Sequence, residues 1–136
     1  MKNKGARTER ELLHKFWKEN FGCVRIAGSG STTELSTDLI AGTKGRVLAI
    51  ECKSGRTSVK RYIEKKQIEN LKEFSKTFGA EPWIGMRFDN EDWLFLKPEH
   101  LENGNSENFG INLKLARKKG ICFDELIGKY KQKKLK

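Results

Sequence analysis

Two carboxylates and a lysine are spaced so that together they could hydrolyse a phosphate ester. Asp38 is followed, after twelve residues, by the sequence Glu51-Cys52-Lys53. Because successive side chains of a β-strand point to opposite faces, Glu51 and Lys53 would share one face while Cys52 packs on the other. Two charges beside the apolar residues 47–50 are costly to bury unless they pair with each other or face a ligand.

The residues between these groups predict a hairpin that brings Asp38 towards Glu51. Residues 38–42 and 46–53 are typical of antiparallel strands joined by a turn at 43–45. Two close carboxylates repel each other unless a cation lies between them, and Mg²⁺ prefers carboxylates, waters and substrate phosphates as ligands. The metal would activate a water and polarise a phosphate. Lys53 could stabilise charge in the transition state or help to deprotonate the water.

Each of these residues also has an ordinary structural interpretation. An E-x-K sequence on a strand is common, and it usually forms a surface ion pair of little energetic value. Glu9 falls on the apolar face of a predicted helix, where it could supply another metal ligand, or it could simply favour the positive helix N-terminus. Gln67 could orient a water or a phosphate, or it could be a buried glutamine bonded to the backbone.

The pattern of apolar and turn residues predicts the elements that would position these groups. A helix is expected over 7–20, or from further back if the basic arm extends it, with Thr8 and Glu11 at the spacing of a capping box. A second helix is expected over 59–78, closed by Gly79. The expected strands are 23–26, 38–42, 46–53, 82–88 and 91–96, and the expected loops are 28–33, 54–58 and 103–112. Residues 113–128 fit either short helices or a further strand. This order indicates a mixed α/β domain built on one sheet.

Length and charge limit the classes of protein to consider. The chain has 136 residues and a net charge of +10, which favours one domain and a polyanionic partner such as nucleic acid. Its apolar runs are too short to span a membrane, and three widely spaced cysteines favour a reducing compartment, so we expect a cytoplasmic protein. We expect a single domain over 1–128, with a short basic arm at 1–6, and a disordered Lys-rich tail over 129–136.

An ordered set of sequence segments resembles the archaeal Holliday-junction resolvases of the Hjc type. The matching segments are KGARTEREL at 4–12, VRIAGSG at 24–30, DLIA at 38–41, AIECKS at 49–54, and then Tyr62-Ile63, Gln67 and Phe74. These enzymes have the restriction-endonuclease-like, PD-(D/E)xK fold, a mixed central sheet flanked by helices. Two departures are visible. Thr37 stands where many members have a Pro that shapes the turn, and Cys52 fills a position that is usually Val or Met.

The resemblance implies specific roles for residues of this chain. Glu9, Asp38, Glu51 and Lys53 would form the active site, with the three carboxylates around Mg²⁺ or Mn²⁺. Ser29 would lie on a mobile loop needed for cleavage, and Gln67 would match the glutamine of the helix that follows the E-x-K strand. The enzyme would be a homodimer that cuts two opposed strands of a four-way DNA junction, a substrate whose geometry suits a two-fold dimer.

Basic residues near the site in sequence would contact DNA phosphates, although solvated charges are an equal interpretation. They are Lys2, Lys4, Arg7, Arg10 and Arg25. Phe74 and Phe78 are either core residues or part of a subunit interface. Two other functions stay open at this stage. The first is a PD-(D/E)xK nuclease with a different structure preference. The second is a non-catalytic DNA-binding module, which would bind with a steep salt dependence and give no metal-dependent product.

Overall fold

A computed structural model describes residues 2–26, 34–101 and 107–129, with side chains from Gly5 onward. Four helices and eight strands are formed in this part of the chain. The helices are α1 (Lys2–Lys18), α2 (Lys65–Phe78), α3 (Leu113–Lys119) and α4 (Phe123–Leu126), with a 3-10 turn at Pro98–Leu101. The strands are β1 (Gly22–Arg25), β2 (Leu39–Thr43), β3 (Arg46–Gly55), β4 (Arg61–Glu64), β5 (Glu81–Phe88), β6 (Leu94–Leu96), β7 (Asn108–Ile111) and β8 (Ile121–Cys122).

The main sheet has six strands in the order β1-β2-β3-β5-β6-β8, and β4 pairs with β7 in a separate two-stranded ribbon. β3 and β5 run parallel, because α2 connects them as a crossover, and the other pairs are antiparallel. The predicted fold class, a mixed central sheet flanked by helices, is therefore confirmed.

Apolar side chains leave the sheet on both faces and form two cores. On one face Leu12 and Phe16 of α1 pack with Leu48 and Ile50 of β3, and with the residues of α4. On the other face, Ala49 of β3 packs with the buried residues of α2, α3 and the β4–β7 ribbon. The alternation of β3 between the two cores is what a strand buried on both faces requires.

The predicted β2–β3 hairpin forms, with β2 one residue later than expected and a turn one residue shorter. Thr43 pairs with Arg46 and Leu39 pairs with Ile50, so only Lys44 and Gly45 lie in the turn. Gly45 has a φ of +75°, a left-handed conformation that glycine adopts without a Cβ penalty. The length of this turn fixes the register of the two strands.

The first helix extends back into the expected basic arm, a possibility the sequence left open, and it lacks the predicted capping box. α1 starts at Lys2, so residues 2–6 of the expected arm belong to the helix. Thr8 lies inside α1, where its hydroxyl donates a hydrogen bond to the carbonyl of Gly5 (2.9 Å) rather than capping the N-terminus. Glu11 instead accepts hydrogen bonds from the indole of Trp93 (2.7 Å) and the guanidinium of Arg87 (2.9 Å).

The second helix begins later than predicted, because its expected first turns form a strand. Ile63 of β4 is buried and Tyr62 is exposed, an alternation that places one face of the ribbon on the core. The partner strand is Asn108–Ile111, all of which the sequence predicted as loop. α2 ends as expected at Gly79, whose φ of +87° gives a left-handed C-cap.

The segment after the ribbon forms two short helices and a strand, where the sequence left both possibilities open. The side chain of Asn112 caps α3 by accepting a hydrogen bond from the amide of Leu115 (2.7 Å). Strand β6 is shorter than predicted and begins at Leu94. Within the described residues, no helix is both long enough and apolar enough to cross a membrane.

Candidate active site

The open end of the β2–β3 hairpin places Asp38 beside Glu51. Continued by one residue beyond the Leu39–Ile50 pair, the register puts Asp38 opposite Glu51. The carboxylate of Asp38 accepts a hydrogen bond from the amide of Cys52 (2.8 Å). The buried hydroxyl of Thr37 donates to the carbonyl of Ile50 (2.9 Å). These two side chains complete the backbone hydrogen bonding where the ladder ends, and they hold the strand on both sides of Glu51 in place.

Glu51 and Lys53 share the face of β3 that also carries Ala49. The ammonium of Lys53 lies 3.7 Å from a carboxylate oxygen of Glu51, and the two side chains are only 13% and 17% exposed. Cys52 points the other way and packs with the core beneath α1, as predicted. Burial raises the pKa of the Cys52 thiol well above its usual range, and the nearby carboxylates add to this effect.

Glu9 approaches the hairpin from α1, where the helical periodicity placed it. Its carboxylate forms an ion pair with Arg25 of β1 (2.7 Å), and its side chain is 17% exposed. Burial raises the pKa of Glu9, and the negative charge of Asp38 raises it further, although the hydrogen bond from Arg25 acts in the opposite direction. Glu9 and Asp38 are therefore close enough to repel each other.

Burial and the neighbouring negative charges have a large effect on the pKa of Glu51. Burial, followed by the charge of Asp38, raises the pKa of Glu51 to about 7, and Glu9 contributes in the same direction. Lys53 lowers this pKa but does not compensate fully. Three acidic side chains approach one another here, and Arg25 and Lys53 compensate their charge only in part, so a cation would stabilise the site.

Comparison with known proteins identifies the family. The family model of the archaeal Holliday junction resolvases (Hjc) matches residues 1–135. The chain belongs to this family. It is 42% identical to the crossover junction endodeoxyribonuclease Hjc of Methanocaldococcus jannaschii, over 97% of this chain and 92% of that protein. It is 35% identical to the Hjc of Archaeoglobus fulgidus, over 94% of this chain and 98% of that protein.

A solved structure supports the same assignment. The Hjc of Archaeoglobus fulgidus, described as a Holliday junction resolvase from an archaeal hyperthermophile, superposes with a TM-score of 0.80 at 32% identity. The match covers 95% of this chain and 99% of that one. The resemblance noted in the sequence is confirmed, and membership of this nuclease family implies a requirement for a divalent metal ion.

The donor atoms of the resolvase site fit a hard divalent cation. Glu9, Asp38 and Glu51 offer carboxylate oxygens, and their mutual repulsion gives a reason for a cation to bind among them. Among the described residues, however, no three acidic, histidine or cysteine side chains converge as a ready-made metal cage. Glu9 is turned towards Arg25, and Asp38 towards the amide of Cys52. Mg²⁺ commonly uses only one or two carboxylates and keeps several waters, so a complete protein cage is not needed.

The remaining predicted site residues are placed less directly. Gln67 is partly buried in α2, the helix that covers the Glu51 face of the sheet, and no described hydrogen bond links it to the carboxylates. Arg7 and Arg10 are exposed on α1. Arg25, predicted to contact DNA, is paired with Glu9. Ser29 and the side chains of Lys2 and Lys4 lie outside the described residues.

Sequence reasoning did not find two of the contacts that shape this site. The hydroxyl of Thr37 holds the carbonyl of Ile50, although Thr37 was assigned no part beyond the turn. The second contact is the ion pair between Glu9 on α1 and Arg25 on β1. Arg25 is two residues after Cys23, so both side chains point to the face of β1 that packs against α1; this alternation was the one sequence signal that could have indicated the ion pair.

Proposed function

We propose that Glu9, Asp38, Glu51 and Lys53 form the active site with which this resolvase hydrolyses paired strands of a four-way DNA junction. The observation that carries this proposal is the pairing at the end of the hairpin. Asp38 directly precedes the last strand pair, Leu39 with Ile50, and its carboxylate accepts a hydrogen bond from the amide of Cys52 (2.8 Å), the residue after Glu51. Lys53 is 3.7 Å from Glu51 on the same face of β3. A simple phosphate-binding surface would not gather carboxylates at this point, because they would repel the DNA backbone.

Each side chain has a role that follows from its chemistry. We propose that Glu9, Asp38 and Glu51 hold Mg²⁺, for which Mn²⁺ can substitute. When bound, the metal would neutralise the carboxylates, polarise the scissile phosphate and lower the pKa of a water. In the hydrolysis the oxygen of a water bonds to phosphorus and gives up a proton, while one P–O bond of the backbone breaks and the departing oxygen takes up a proton to become a hydroxyl. The ammonium of Lys53 offsets the negative charge that develops on the phosphate oxygens.

Other residues would guide the DNA and the chemistry at the site. We assign Gln67 to orienting a water or a phosphate, since α2 covers the face that carries Glu51. We assign Ser29, which follows β1 in the sequence, to the cleavage step, as the family resemblance implies. Lys2, Lys4, Arg7, Arg10 and Arg25 would contact phosphates; for Arg25, this requires release from Glu9. Contacts of this kind position the protein without reading bases, so junctions would be selected by shape and charge.

We further propose that the resolvase is a homodimer whose interface includes the exposed apolar side chains beside α2. Phe78 is 55% exposed and stacks on Phe74, with 5.2 Å between the ring centroids. Val24, 58% exposed, is in register with Ile40 and so faces the α2 side of the sheet. Exposed aromatic and aliphatic side chains of this kind are typical of subunit interfaces. A two-fold dimer would present two active sites to the two strands of a junction.

The organisation of the chain follows the same proposal. Residues 1–128 would form the nuclease domain, with 129–136 as a Lys-rich tail that adds positive charge for DNA. The protein would act in the cytoplasm, since that is where an archaeal cell keeps its DNA.

The catalytic assignment is tested with a synthetic four-way junction and a linear duplex, each incubated with Mg²⁺ or with EDTA. We expect paired nicks in the junction only, and only with Mg²⁺. Asp38→Asn, Glu51→Gln and Lys53→Met should each lower the cleavage rate by at least about 100-fold while junction binding in EDTA persists. Glu69→Gln, an exposed carboxylate on α2, is the matched control and should cut normally.

Each alternative function gives its own result in this experiment. If Asp38→Asn or Glu51→Gln cuts as fast as the unmodified protein, the proposed active site is wrong. Cutting of both substrates would indicate a PD-(D/E)xK nuclease with a different structure preference. Binding without cutting under any metal would leave a non-catalytic DNA-binding module.

The dimer proposal is tested by sedimentation equilibrium. Phe78→Glu should shift the resolvase towards monomer, because the interface would have to bury an unpaired charge. Val59→Glu, at a residue of similar exposure that precedes β4, is the control and should leave the dimer intact. A Phe78→Glu protein that stays dimeric would place the interface elsewhere.

A further inference from the structure

The outer face of the β4–β7 ribbon carries an exposed tyrosine that the catalytic site does not use. Along β4, Ile63 is buried in the core while Tyr62 is 57% exposed. Lys60, just before the strand, has the same parity as Tyr62 and is also exposed. An exposed aromatic ring with a cationic side chain beside it combines the two kinds of group that bind single-stranded nucleic acid, one for the base and one for the phosphate.

Gly110, on the partner strand, lets this tyrosine lie against the backbone. Tyr62 pairs with Gly110 across the ribbon. A Cβ at residue 110 would lie 3.0 Å from a ring carbon of Tyr62 and 3.1 Å from the Cδ atom of Lys60. The two side chains therefore occupy the space above the glycine, which supports the ring and leaves more than half of the Tyr62 side chain open to solvent.

The ribbon is attached directly to the strand that carries the active site. The guanidinium of Arg61 donates hydrogen bonds to the carbonyl of Ser54 (2.9 Å), which follows Lys53, and to the carbonyl of Tyr62 (2.9 Å). The loop that connects β3 to β4 adds an exposed arginine, Arg56. The end of this loop and ribbon nearest β3 is therefore positively charged, with Arg56, Lys60 and Arg61, whereas the exposed Glu64 lies farther along β4. The tyrosine lies beside the positive end, where a polyanion held by the active site would continue.

We propose that Tyr62 is a stacking platform for a base at the branch point of junction DNA, and that Lys60 binds an adjoining phosphate. This inference rests on the proposed junction-cleaving function. Every base has a π-face on which an aromatic ring can stack, and a lysine beside the ring would hold the backbone. In a continuous duplex the base faces are covered by their neighbours, whereas strand exchange at a branch point interrupts this stacking. Tyr62 would therefore favour branched DNA over linear DNA without reading sequence.

The test measures binding in EDTA, so that it does not depend on cleavage. The probe is a four-way junction with 2-aminopurine at the branch point, whose fluorescence reports stacking, and a linear duplex of equal length is the reference. Tyr62→Leu keeps the apolar bulk but removes the π-face. It should weaken junction binding by roughly tenfold, abolish the change in 2-aminopurine fluorescence and leave duplex binding unchanged. Tyr62→Phe should behave like the unmodified protein, as should Val59→Ala, an exposed control in the preceding loop.

A second variant leaves the tyrosine in place and alters its support. Gly110→Ala should displace the ring of Tyr62 and reduce the junction preference in the same direction as Tyr62→Leu. Normal junction binding and fluorescence by Tyr62→Leu would overturn the inference while leaving the nuclease intact. Loss of the dimer in sedimentation experiments on Tyr62→Leu would also overturn it, since Tyr62 would then be a subunit contact. If the unmodified resolvase shows no preference for junctions, the proposed function itself fails.

Discussion

Replacing Glu51 with glutamine should make the metal-free resolvase more stable at neutral and alkaline pH. Burial and the charges of Asp38 and Glu9 raise the pKa of Glu51 from its ordinary value of 4.5 to about 7, against the opposing effect of Lys53. At roughly 1.4 kcal/mol per pKa unit, ionising this carboxyl in the folded protein costs about 3 kcal/mol. Because the neutral amide would leave Lys53 without its charged partner, the net gain expected from the substitution is smaller, about 1–2 kcal/mol.

The pH dependence of this effect follows from the direction of the pKa change. Below about pH 4.5, Glu51 is protonated in both the folded and the unfolded chain, so its titration does not lower the free energy of unfolding. Between 4.5 and about 7, the folded protein holds the proton that the unfolded chain has lost, so the free energy of unfolding falls as the pH rises. Above about pH 7 the full cost is present, and the substitution should then have its largest effect.

Urea unfolding in EDTA, at pH 5 and at pH 8, measures this difference. Glu51→Gln should exceed the unmodified protein in stability at pH 8 and differ little from it at pH 5, whereas the exposed control Glu69→Gln should change neither value. Addition of Mg²⁺ should stabilise the unmodified protein more than Glu51→Gln, because the metal would remove the repulsion. If Glu51→Gln is less stable at both pH values, Glu51 acts mainly as the partner of Lys53, and the argument for charge repulsion is wrong.

Three further substitutions test the packing around the site. Thr37→Val should lower the free energy of unfolding in urea by about 1–2 kcal/mol and slow single-turnover cleavage, because the carbonyl of Ile50 loses its hydrogen-bond donor. Thr37→Ser, which keeps the hydroxyl, should restore both the stability and the cleavage rate. Glu11→Ala should cost about 1–3 kcal/mol in urea unfolding, since the buried indole of Trp93 loses its acceptor, and an unchanged midpoint would contradict this. Gly79→Ala should lower the free energy of unfolding by about 1 kcal/mol through backbone strain alone, because no atom lies within 4 Å of the added methyl group. Thermal unfolding measures this change, and an unchanged midpoint would argue against a left-handed C-cap at Gly79.

The parts of the site that the sequence predicted are those set by local spacing. The alternation of Glu51, Cys52 and Lys53 determined which side chains share a face, and the turn residues determined the pairing of β2 with β3. Glu9 was placed on the buried face of α1 by the helical period alone. These features depend on neighbours within one hairpin or one helix, so a single sequence is enough to specify them.

The features that the sequence missed depend on distant partners. Residues 61–64 continue into α2 without a Gly or Pro, and they form a strand because β7, far along the chain, supplies the matching hydrogen bonds. Thr8 has the spacing of a capping residue, but α1 continues upstream, so its hydroxyl bonds within the helix. In both places a tertiary or upstream contact outweighed a local preference.

The two-residue turn at Lys44-Gly45 has an evolutionary consequence for the whole enzyme. Its length sets which residue of β3 lies opposite Asp38, and a change of one residue would send every side chain of one strand to the other face of the sheet. An insertion or deletion there would separate Asp38 from Glu51 without touching either of them. The length of the turn thus sets the geometry of the proposed active site, and functional relatives should vary in length at other loops and conserve the length of this one.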